Sequence, residues 1–208
     1  LPSAETQCIK GNHMDRPNAF YRFCRVIVRA VYRVLFRIEV IGASRIPPSG
    51  GVMLCSNHKS YWDPLTLGVG IERPIRFMAK SELFKVPVLN WLIRGLGAFP
   101  VKRGRVSKDA IRQSLRMLEE GRLIGIFPEG TRNKEELGMA KRGAAVMAIR
   151  SGAYVVPAAI IGDYRLFRKM KVAYAEPILA SDYGADREDE LTEAIMSSIH
   201  KLIEVHQR

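Results

Sequence analysis

The sequence predicts an α/β domain whose single mixed, mostly parallel β-sheet is flanked by helices and preceded by an N-terminal basic amphipathic helix. Short runs of β-branched and aliphatic residues alternate with longer segments of helical periodicity, which is the pattern of strand–helix–strand units. The 208 residues, 47% of them hydrophobic, are enough to build one substantial core. No internal repeat or long linker interrupts the pattern.

The first helical segment covers 17–36 and carries an arginine at every third or fourth position. At 100° per residue these arginines fall within about 120° of arc, and the remaining surface is largely apolar. Such a helix is typical of a membrane surface with anionic headgroups, although a helix packed on its own core would carry the same row. The width of the apolar arc favours the membrane. The expected membrane-binding residues are Arg22, Arg25, Arg29, Arg33, Phe20, Phe23 and Ile27.

The rest of the chain alternates between predicted strands and helices. Strands are predicted where apolar residues run unbroken or alternate with polar ones, at 37–41, 51–56, 75–79, 97–101, 123–127, 154–161 and 170–175. Helices are predicted where apolar residues recur every three or four positions, from 64 onward and at 87–96, 107–120, 141–150 and 186–206. Asp63 followed by Pro64 is typical of a helix N-cap, and Gly121 of a helix end.

Charge is the strongest deviation in the composition. Lysine and arginine total 33 against 21 acidic residues, a formal net charge of +12. Seven arginines face two acidic residues in 15–50 (net +5), ten basic residues face two acidic ones in 76–116 (net +8), and three face seven in 180–208 (net −4). This balance indicates an anionic partner, which is a nucleic acid, a membrane surface or a phosphorylated substrate.

Three widely spaced cysteines argue against a disulfide framework or a zinc site and favour a reducing compartment. No apolar run reaches about 18 residues, so no ordinary membrane span is expected. The opening residues do not have the pattern of a signal peptide. The expected organisation is a disordered leader or expression-tag remnant at 1–13, an amphipathic membrane-surface helix at 14–36 and the main domain at 37–208.

A histidine and an aspartate stand at the turn from a buried strand to a helix, where His58 precedes Asp63 by five residues. On one straight helix such side chains would point about 140° apart, whereas a turn lets them meet. An aspartate on one imidazole nitrogen fixes the tautomer and leaves the other nitrogen free as a base. Taken alone, the pair is also explained by a helix cap beside an ordinary loop histidine.

The segment from Phe127 to Arg132 carries four chemically useful residues from a strand end into a turn. Gly130 permits close backbone approach, and Arg132 offers a planar fork suited to two phosphate oxygens. Thr131 adds a hydroxyl, and Glu129 is suited to position a substrate hydroxyl or to orient Arg132. Pro-Glu-Gly is also an ordinary turn sequence, so this motif alone decides nothing.

Basic residues follow other predicted strands as well, since Lys80 ends one strand and Arg103 follows the next. In an open α/β sheet, ligands sit at the carboxyl ends of the strands. We therefore expect Lys80, Arg103 and Arg132 to converge with His58 on one anionic, hydroxyl-bearing substrate.

Four blocks in this order resemble those of the glycerolipid acyltransferases, specifically the bacterial-type 1-acylglycerol-3-phosphate (lysophosphatidic acid) acyltransferases. Asn-His-x-Ser-x-x-Asp at 57–63 is similar to the first block, with its His-x4-Asp motif. Gly-x-Phe-Pro-Val-x-Arg at 97–103 resembles the second, Phe-Pro-Glu-Gly-Thr-Arg at 127–132 matches the third, and Val-Pro-Ala at 156–158 resembles the fourth. Lys102 departs from the acidic residue common before the second-block arginine.

The resemblance implies transfer of an acyl chain from an acyl thioester to the sn-2 hydroxyl of lysophosphatidate, giving phosphatidate for phospholipid synthesis. It implies that His58, oriented by Asp63, is the general base and that Arg103 and Arg132 hold the acceptor phosphate. Backbone N–H groups near the first block are expected to bind the oxyanion. The substrate-binding residues implied are Asn57, Ser60, Lys80, Arg103, Glu129, Gly130, Thr131 and Arg132.

The implied partners are lysophosphatidate, acyl-CoA or an acyl carrier protein, and an anionic membrane surface, with no nucleic acid, cofactor or metal. The expected location is the cytoplasmic face of the cell membrane, as a peripheral or monotopic protein. Two other classes remain open: a nucleic-acid-binding module, although the common RNA-binding motifs are missing, and a non-catalytic lipid binder, although the intact His58–Asp63 pair argues against it. Within the enzyme class, glycerol 3-phosphate or another lysophospholipid is an alternative acceptor.

Overall fold

The computed structural model describes residues 17–101, 108–128 and 134–207. Within these ranges the strands are β1 (Glu39–Ile41), β2 (Val52–Ser56), β3 (Ile75–Lys80), β4 (Phe99–Val101), β5 (Leu123–Ile126), β6 (Tyr154–Ile161), β7 (Lys171–Tyr174) and β8 (Ile178–Leu179). The helices are α1 (Ala19–Leu35), α2 (Asp63–Gly68), α3 (Pro87–Gly95), α4 (Lys108–Glu119), α5 (Lys134–Ser151) and α6 (Glu188–His206). Short 3-10 helices cover Ala43–Arg45, Ser81–Lys85 and Ala180–Asp182.

The eight described strands form one sheet in the spatial order β1-β7-β6-β2-β5-β3-β4, and β8 pairs with β6. The pairings of β6 with β7 and with β8 are antiparallel, and the others among these strands are parallel. This confirms the predicted mixed, mostly parallel sheet. Because β2, β5, β3 and β4 are parallel neighbours, their carboxyl ends share one side of the sheet, which we call the carboxyl edge.

The two faces of the sheet are both buried, and β2 shows why its sequence is apolar throughout. Val52 and Leu54 pack on one face in a cluster with Leu67 of α2. Met53 and Cys55 point to the other face, into a cluster that includes residues of α4, α5 and α6. Because successive side chains of a strand alternate between faces, a strand covered on both sides needs an unbroken apolar run.

Helix α1 lies within the predicted segment, but two arginines of its row face the protein. Arg25 and Arg29 form ion pairs with Glu72 at 2.7 and 2.8 Å. Both guanidinium groups also donate to backbone carbonyls in the segment that follows α2. These two arginines therefore have a protein partner, whereas Arg22 and Arg33 are exposed. The contact of all four with headgroups stays a prediction.

The outer face of α1 is apolar and open to solvent. Each of five of its side chains is at least 40% exposed. Phe20 connects this face to α3, because its ring lies 4.7 Å from that of Trp91. On α3, Val88 is 78% and Trp91 65% exposed. We call this combined area the outer apolar surface; its members are Phe23, Val26, Ile27, Val31, Val34, Val88 and Trp91. No helix in the described ranges is both long and apolar enough to span a bilayer.

Two elements differ from the sequence-based expectation. Helix α5 begins at Lys134 rather than at 141, because the residues before 141 are mostly strong helix formers. Strand β8 has only two residues and pairs antiparallel with β6. Two residues are too few to form a repeating apolar pattern, so the sequence could not predict this strand.

A substitution at Gly125 of β5 tests the packing between β5 and β3. Its backbone lies under the ring of Phe77 in β3, so an added methyl group would overlap that ring. Gly125→Ala should lower the free energy of unfolding by about 1–3 kcal/mol, because a packed ring has to move. Gly143→Ala is the matched control, since open space surrounds this helical site, and it should raise the free energy by up to about 1 kcal/mol. Urea unfolding measures both, and equal effects would contradict the packing.

Candidate active site

Strand β2 carries the site residues to the carboxyl edge, and Asn57 fixes the point where the chain leaves the sheet. Its amide nitrogen donates to the carbonyl of Ile160 at 3.0 Å, and its amide oxygen accepts from the N–H of Ile160 at 2.8 Å. The side chain thus continues the pairing of β2 with β6 by one residue. Asn57 is buried and both of its polar ends are engaged with β6, and its contact with substrate stays a prediction.

His58 and Asp63 meet across the turn, where Nδ1 of His58 lies 2.7 Å from Oδ2 of Asp63. Because an ionised carboxylate only accepts hydrogen bonds, Nδ1 carries the proton and Nε2 keeps a free lone pair. The side chain of His58 is 26% exposed, whereas that of Asp63 is fully buried. The imidazole is therefore partly open to solvent, whereas the carboxylate lies inside the protein.

Among the described residues, four donors surround the carboxylate of Asp63. In addition to the imidazole, Oδ2 accepts the N–H groups of Lys59 and Ser60 at 2.5 and 2.7 Å. The other oxygen, Oδ1, accepts the hydroxyl of Tyr164 at 2.6 Å. Burial favours the neutral acid, but the hydrogen bonds from His58, Tyr164 and the two backbone groups outweigh burial and hold the pKa of Asp63 below its ordinary value. Asp63 is therefore ionised when His58 takes up a proton.

Asp63 is not the helix cap that an Asp-Pro pair suggests. The N-cap position of α2 falls on Trp62, and Asp63 is the first helical residue. Its carboxylate turns back to the N–H groups of the loop before the helix. The cap interpretation is therefore wrong, because the side chain closes the loop around His58 rather than the first turn of α2.

An aromatic pair supports the imidazole from the neighbouring strands. Phe127 directly follows β5, and its ring stacks on that of His58 with centroids 4.3 Å apart and planes inclined by 19°. Phe77 of β3 stacks in turn on Phe127, with centroids 5.8 Å apart. The imidazole is therefore held at its Nδ1 edge by a hydrogen bond and on one face by a ring, which leaves Nε2 as the reachable nitrogen.

Lys80 lies at the same edge of the sheet. Gly125 of β5 pairs with both Leu54 of β2 and Phe77 of β3. Lys80 lies three residues after Phe77, and Asn57 lies three residues after Leu54, so the two residues are level across the sheet. They are separated by two strand spacings, which is about 10 Å. Its side chain is exposed, so it is available to an anion bound at this edge.

The other predicted site residues divide into two groups. Ser60 lies beside the dyad with its hydroxyl accepting the N–H of Trp62 at 3.3 Å, and its contact with substrate stays a prediction. The strands β4 and β5, which lead to the remaining residues, both end at the carboxyl edge. The residues that fall outside the described ranges are Arg103, Glu129, Gly130, Thr131 and Arg132.

Two members of the site were not accessible to reasoning from the sequence. Tyr164 lies 101 residues after Asp63, in the loop between β6 and β7, and no spacing rule connects the two. Phe127 belongs to a recognisable block, but only the sheet order shows that its ring reaches His58.

Comparison with known proteins identifies the family. The acyltransferase family model matches residues 37–161. A 1-acyl-sn-glycerol-3-phosphate acyltransferase of Bacillus subtilis is 33% identical over 192 residues, which covers 88% of this chain and 96% of that protein. The chain belongs to the acyltransferase family. A 1-acyl-sn-glycerol-3-phosphate acyltransferase of Borreliella burgdorferi is 31% identical over 136 residues, 64% of this chain and 54% of that protein.

A solved structure confirms the acyltransferase fold. The crystal structure of the 1-acyl-sn-glycerophosphate (LPA) acyltransferase PlsC from Thermotoga maritima matches with a TM-score of 0.67, covering 88% of this chain and 80% of that one. The sequence identity is 23%, so this likeness concerns the fold alone.

The lowered pKa of Asp63 makes the stability of this acyltransferase depend on pH in a definite direction. Its ionised form stabilises the fold above the unfolded pKa of about 3.9, and that contribution is lost as the pH falls through the lower folded value. The difference in free energy of unfolding between wild type and Asp63→Asn should therefore shrink as the pH falls below about 4. Urea unfolding at a series of pH values measures it, and a difference independent of pH would argue against a stabilised carboxylate.

Proposed function

We propose that this acyltransferase transfers an acyl chain from an acyl thioester to the sn-2 hydroxyl of 1-acylglycerol 3-phosphate (lysophosphatidate), giving phosphatidate for phospholipid synthesis. The observation that carries the proposal is the pairing of a partly exposed His58 with a buried, ionised Asp63 at the carboxyl edge, through the Nδ1 of the imidazole. The names of the relatives in Bacillus subtilis and Borreliella burgdorferi support this acceptor.

His58 is the proposed general base. Its Nε2 takes the proton of the acceptor hydroxyl as that oxygen attacks the thioester carbonyl. The imidazolium then stands beside the carboxylate of Asp63, 2.7 Å away, which stabilises the positive charge. Collapse of the tetrahedral intermediate breaks the carbon–sulfur bond, and the leaving thiolate takes the proton back from Nε2. The acyl group passes directly from sulfur to oxygen, without a covalent intermediate on the protein.

The acceptor phosphate is proposed to bind Arg103 and Arg132, with Lys80 at the same edge. A guanidinium fork binds two phosphate oxygens at once, which fixes the orientation of the acceptor as well as its position. The ends of β3, β4 and β5 at the carboxyl edge support this convergence. Residues 129–131 are proposed to complete the acceptor site.

The oxyanion of the intermediate needs donors that Asp63 does not already occupy. The N–H groups of Lys59 and Ser60 donate to that carboxylate, so the proposed oxyanion site uses other backbone N–H groups near the first block. Acyl-CoA or an acyl carrier protein is the proposed donor. Because a thioester is already activated towards attack, the proposed reaction uses no metal or cofactor.

The outer apolar surface is the proposed membrane contact, on the cytoplasmic face of the cell membrane. Its side chains lie on two helices joined by the contact of Phe20 with Trp91. Arg22 and Arg33 are exposed on the same helix, where they are suited to anionic headgroups. This arrangement would bring the carboxyl edge to lysophosphatidate, a substrate that resides in the bilayer.

Replacing the base tests the proposed reaction. His58→Ala should lower the rate of phosphatidate formation about 100-fold or more in mixed micelles, while His200→Ala on α6 should match the wild type. Both acyl-CoA and acyl carrier protein thioesters are supplied, and circular dichroism checks folding. No product from the wild type with a range of acceptors would refute the proposed function. Equal rates for wild type and His58→Ala would refute the proposed base.

Polar substitutions on the outer apolar surface test the membrane contact. Phe23→Gln combined with Val34→Gln should weaken partitioning onto vesicles with about 30% anionic lipid by about tenfold or more, because less apolar area is buried. Val205→Gln is the matched control, since Val205 is an equally exposed apolar residue at 59% but lies on α6. Sedimentation of vesicles measures both, and equal loss in the two variants would contradict a specific surface.

A further inference from the structure

The carboxylate of Asp63 uses its two oxygens differently. Oδ2 holds the imidazole together with two backbone N–H groups. Oδ1 accepts the hydroxyl of Tyr164 at 2.6 Å. Rotation of a carboxylate about the bond that joins it to the rest of its side chain has broad, shallow energy minima. A donor fixed on Oδ1 restrains this rotation and therefore the direction in which Oδ2 meets His58.

The hydroxyl of Tyr164 is itself held by a second hydroxyl. Its oxygen lies 2.6 Å from Oγ1 of Thr66, a fully buried residue on α2. Tyr164 has a single hydroxyl proton and gives it to the carboxylate, so the proton between Tyr164 and Thr66 comes from Thr66. The hydroxyl of Tyr32 in α1 donates to the carbonyl of Trp62 at 3.2 Å and accepts from Oγ1 of Thr66 at 3.0 Å. The one proton of Thr66 is therefore shared between the oxygens of Tyr164 and Tyr32, and the contact with Tyr164 is the shorter of the two. Three hydroxyls thus lead from α1 to Asp63.

The loop that carries Tyr164 is fastened to the end of α1. The N–H of Phe167 donates to the carbonyl of Leu35 at 2.6 Å, and that of Met170 donates to the carbonyl of Phe36 at 3.0 Å. The ring of Tyr164 lies edge-on to that of Phe36, with centroids 5.9 Å apart. The backbone of Phe167 has a φ of +63°, a conformation that a residue with a side chain adopts only when its surroundings hold it there.

We propose that Tyr164 is a positioning residue for acyl transfer, which holds Asp63 through Oδ1 in the orientation that aims His58 at the acceptor hydroxyl. This proposal rests on the proposed role of His58 and Asp63 in catalysis. Thr66 supports Tyr164 in turn by donating to its oxygen. Burial, followed by the hydrogen bond to Asp63, raises the pKa of the Tyr164 hydroxyl, so it stays a donor throughout the cycle and does not exchange its proton with substrate.

Tyr164→Phe tests the proposal, because it removes the hydroxyl and keeps the ring against Phe36. We expect kcat to fall about tenfold, the usual scale for losing a residue that orients a catalytic group. The KM values for lysophosphatidate and for the thioester should stay unchanged, because the hydroxyl of Tyr164 is engaged with Asp63 and Thr66. The matched control is Tyr174→Phe, which removes a buried hydroxyl that donates to the carbonyl of Leu67 at 2.7 Å and does not touch Asp63.

The two tyrosine variants separate positioning from general loosening of the fold. Both should lower the midpoint of thermal unfolding, but only Tyr164→Phe should lower kcat. A kcat within about twofold of the wild type for Tyr164→Phe, or an equal fall in both variants, would overturn the proposal. Wild type and His58→Ala are assayed beside them. An inactive wild type would refute the proposed function, whereas an active wild type together with a fully active Tyr164→Phe would refute only the positioning role of Tyr164.

Substitutions at Thr66 test the second hydrogen bond. Thr66→Ser keeps a hydroxyl that can donate to Tyr164, whereas Thr66→Val keeps the shape and removes the donor. We expect Thr66→Ser to retain the wild-type kcat and Thr66→Val to fall part of the way towards Tyr164→Phe. Equal kcat values for the two variants would show that the hydroxyl of Thr66 does not support Tyr164.

Discussion

The buried negative charge of Asp63 is the constraint on which the rest of the site depends. A carboxylate taken out of water remains ionised only where donors replace its hydration. Here the donors come from separate parts of the chain: the imidazole and two backbone groups from the turn after β2, and the hydroxyl of Tyr164 from the loop after β6. Satisfying this one charge therefore fixes both the tautomer of His58 and the conformation of two loops.

The parallel arrangement of the central strands makes this solution possible. Strand β2 lies between β5 and β6, and each neighbour supplies one support where it reaches the carboxyl edge. Phe127 after β5 provides the stacking surface for His58. Ile160 in β6 pairs with Asn57 and so sets the direction in which the chain leaves the sheet. The base is consequently held by rigid elements on both sides, which is what precise alignment with a substrate requires.

Features encoded in local patterns could be predicted, and features that depend on contacts between distant segments could not. The strand-to-helix turn that unites His58 and Asp63 is local, so a five-residue spacing revealed it. Helical periodicity showed that the arginines of α1 share one side, but not that Arg25 and Arg29 would find Glu72. The spacing of an Asp-Pro pair suggested a helix cap, yet the side chain serves the preceding loop. Tyr164 had no local signature, because its partner is set by the path of β6.

The inner side of α1 has a consequence for how the enzyme can be handled in the laboratory. Tyr32 is almost fully buried and contacts the hydroxyl of Thr66 beside the carboxylate of Asp63, and the ring of Phe36 packs against that of Tyr164. Removing α1 would expose the ring of Tyr164 and admit water to the buried carboxylate of Asp63. A version of the enzyme that keeps the surroundings of Asp63 intact therefore retains α1.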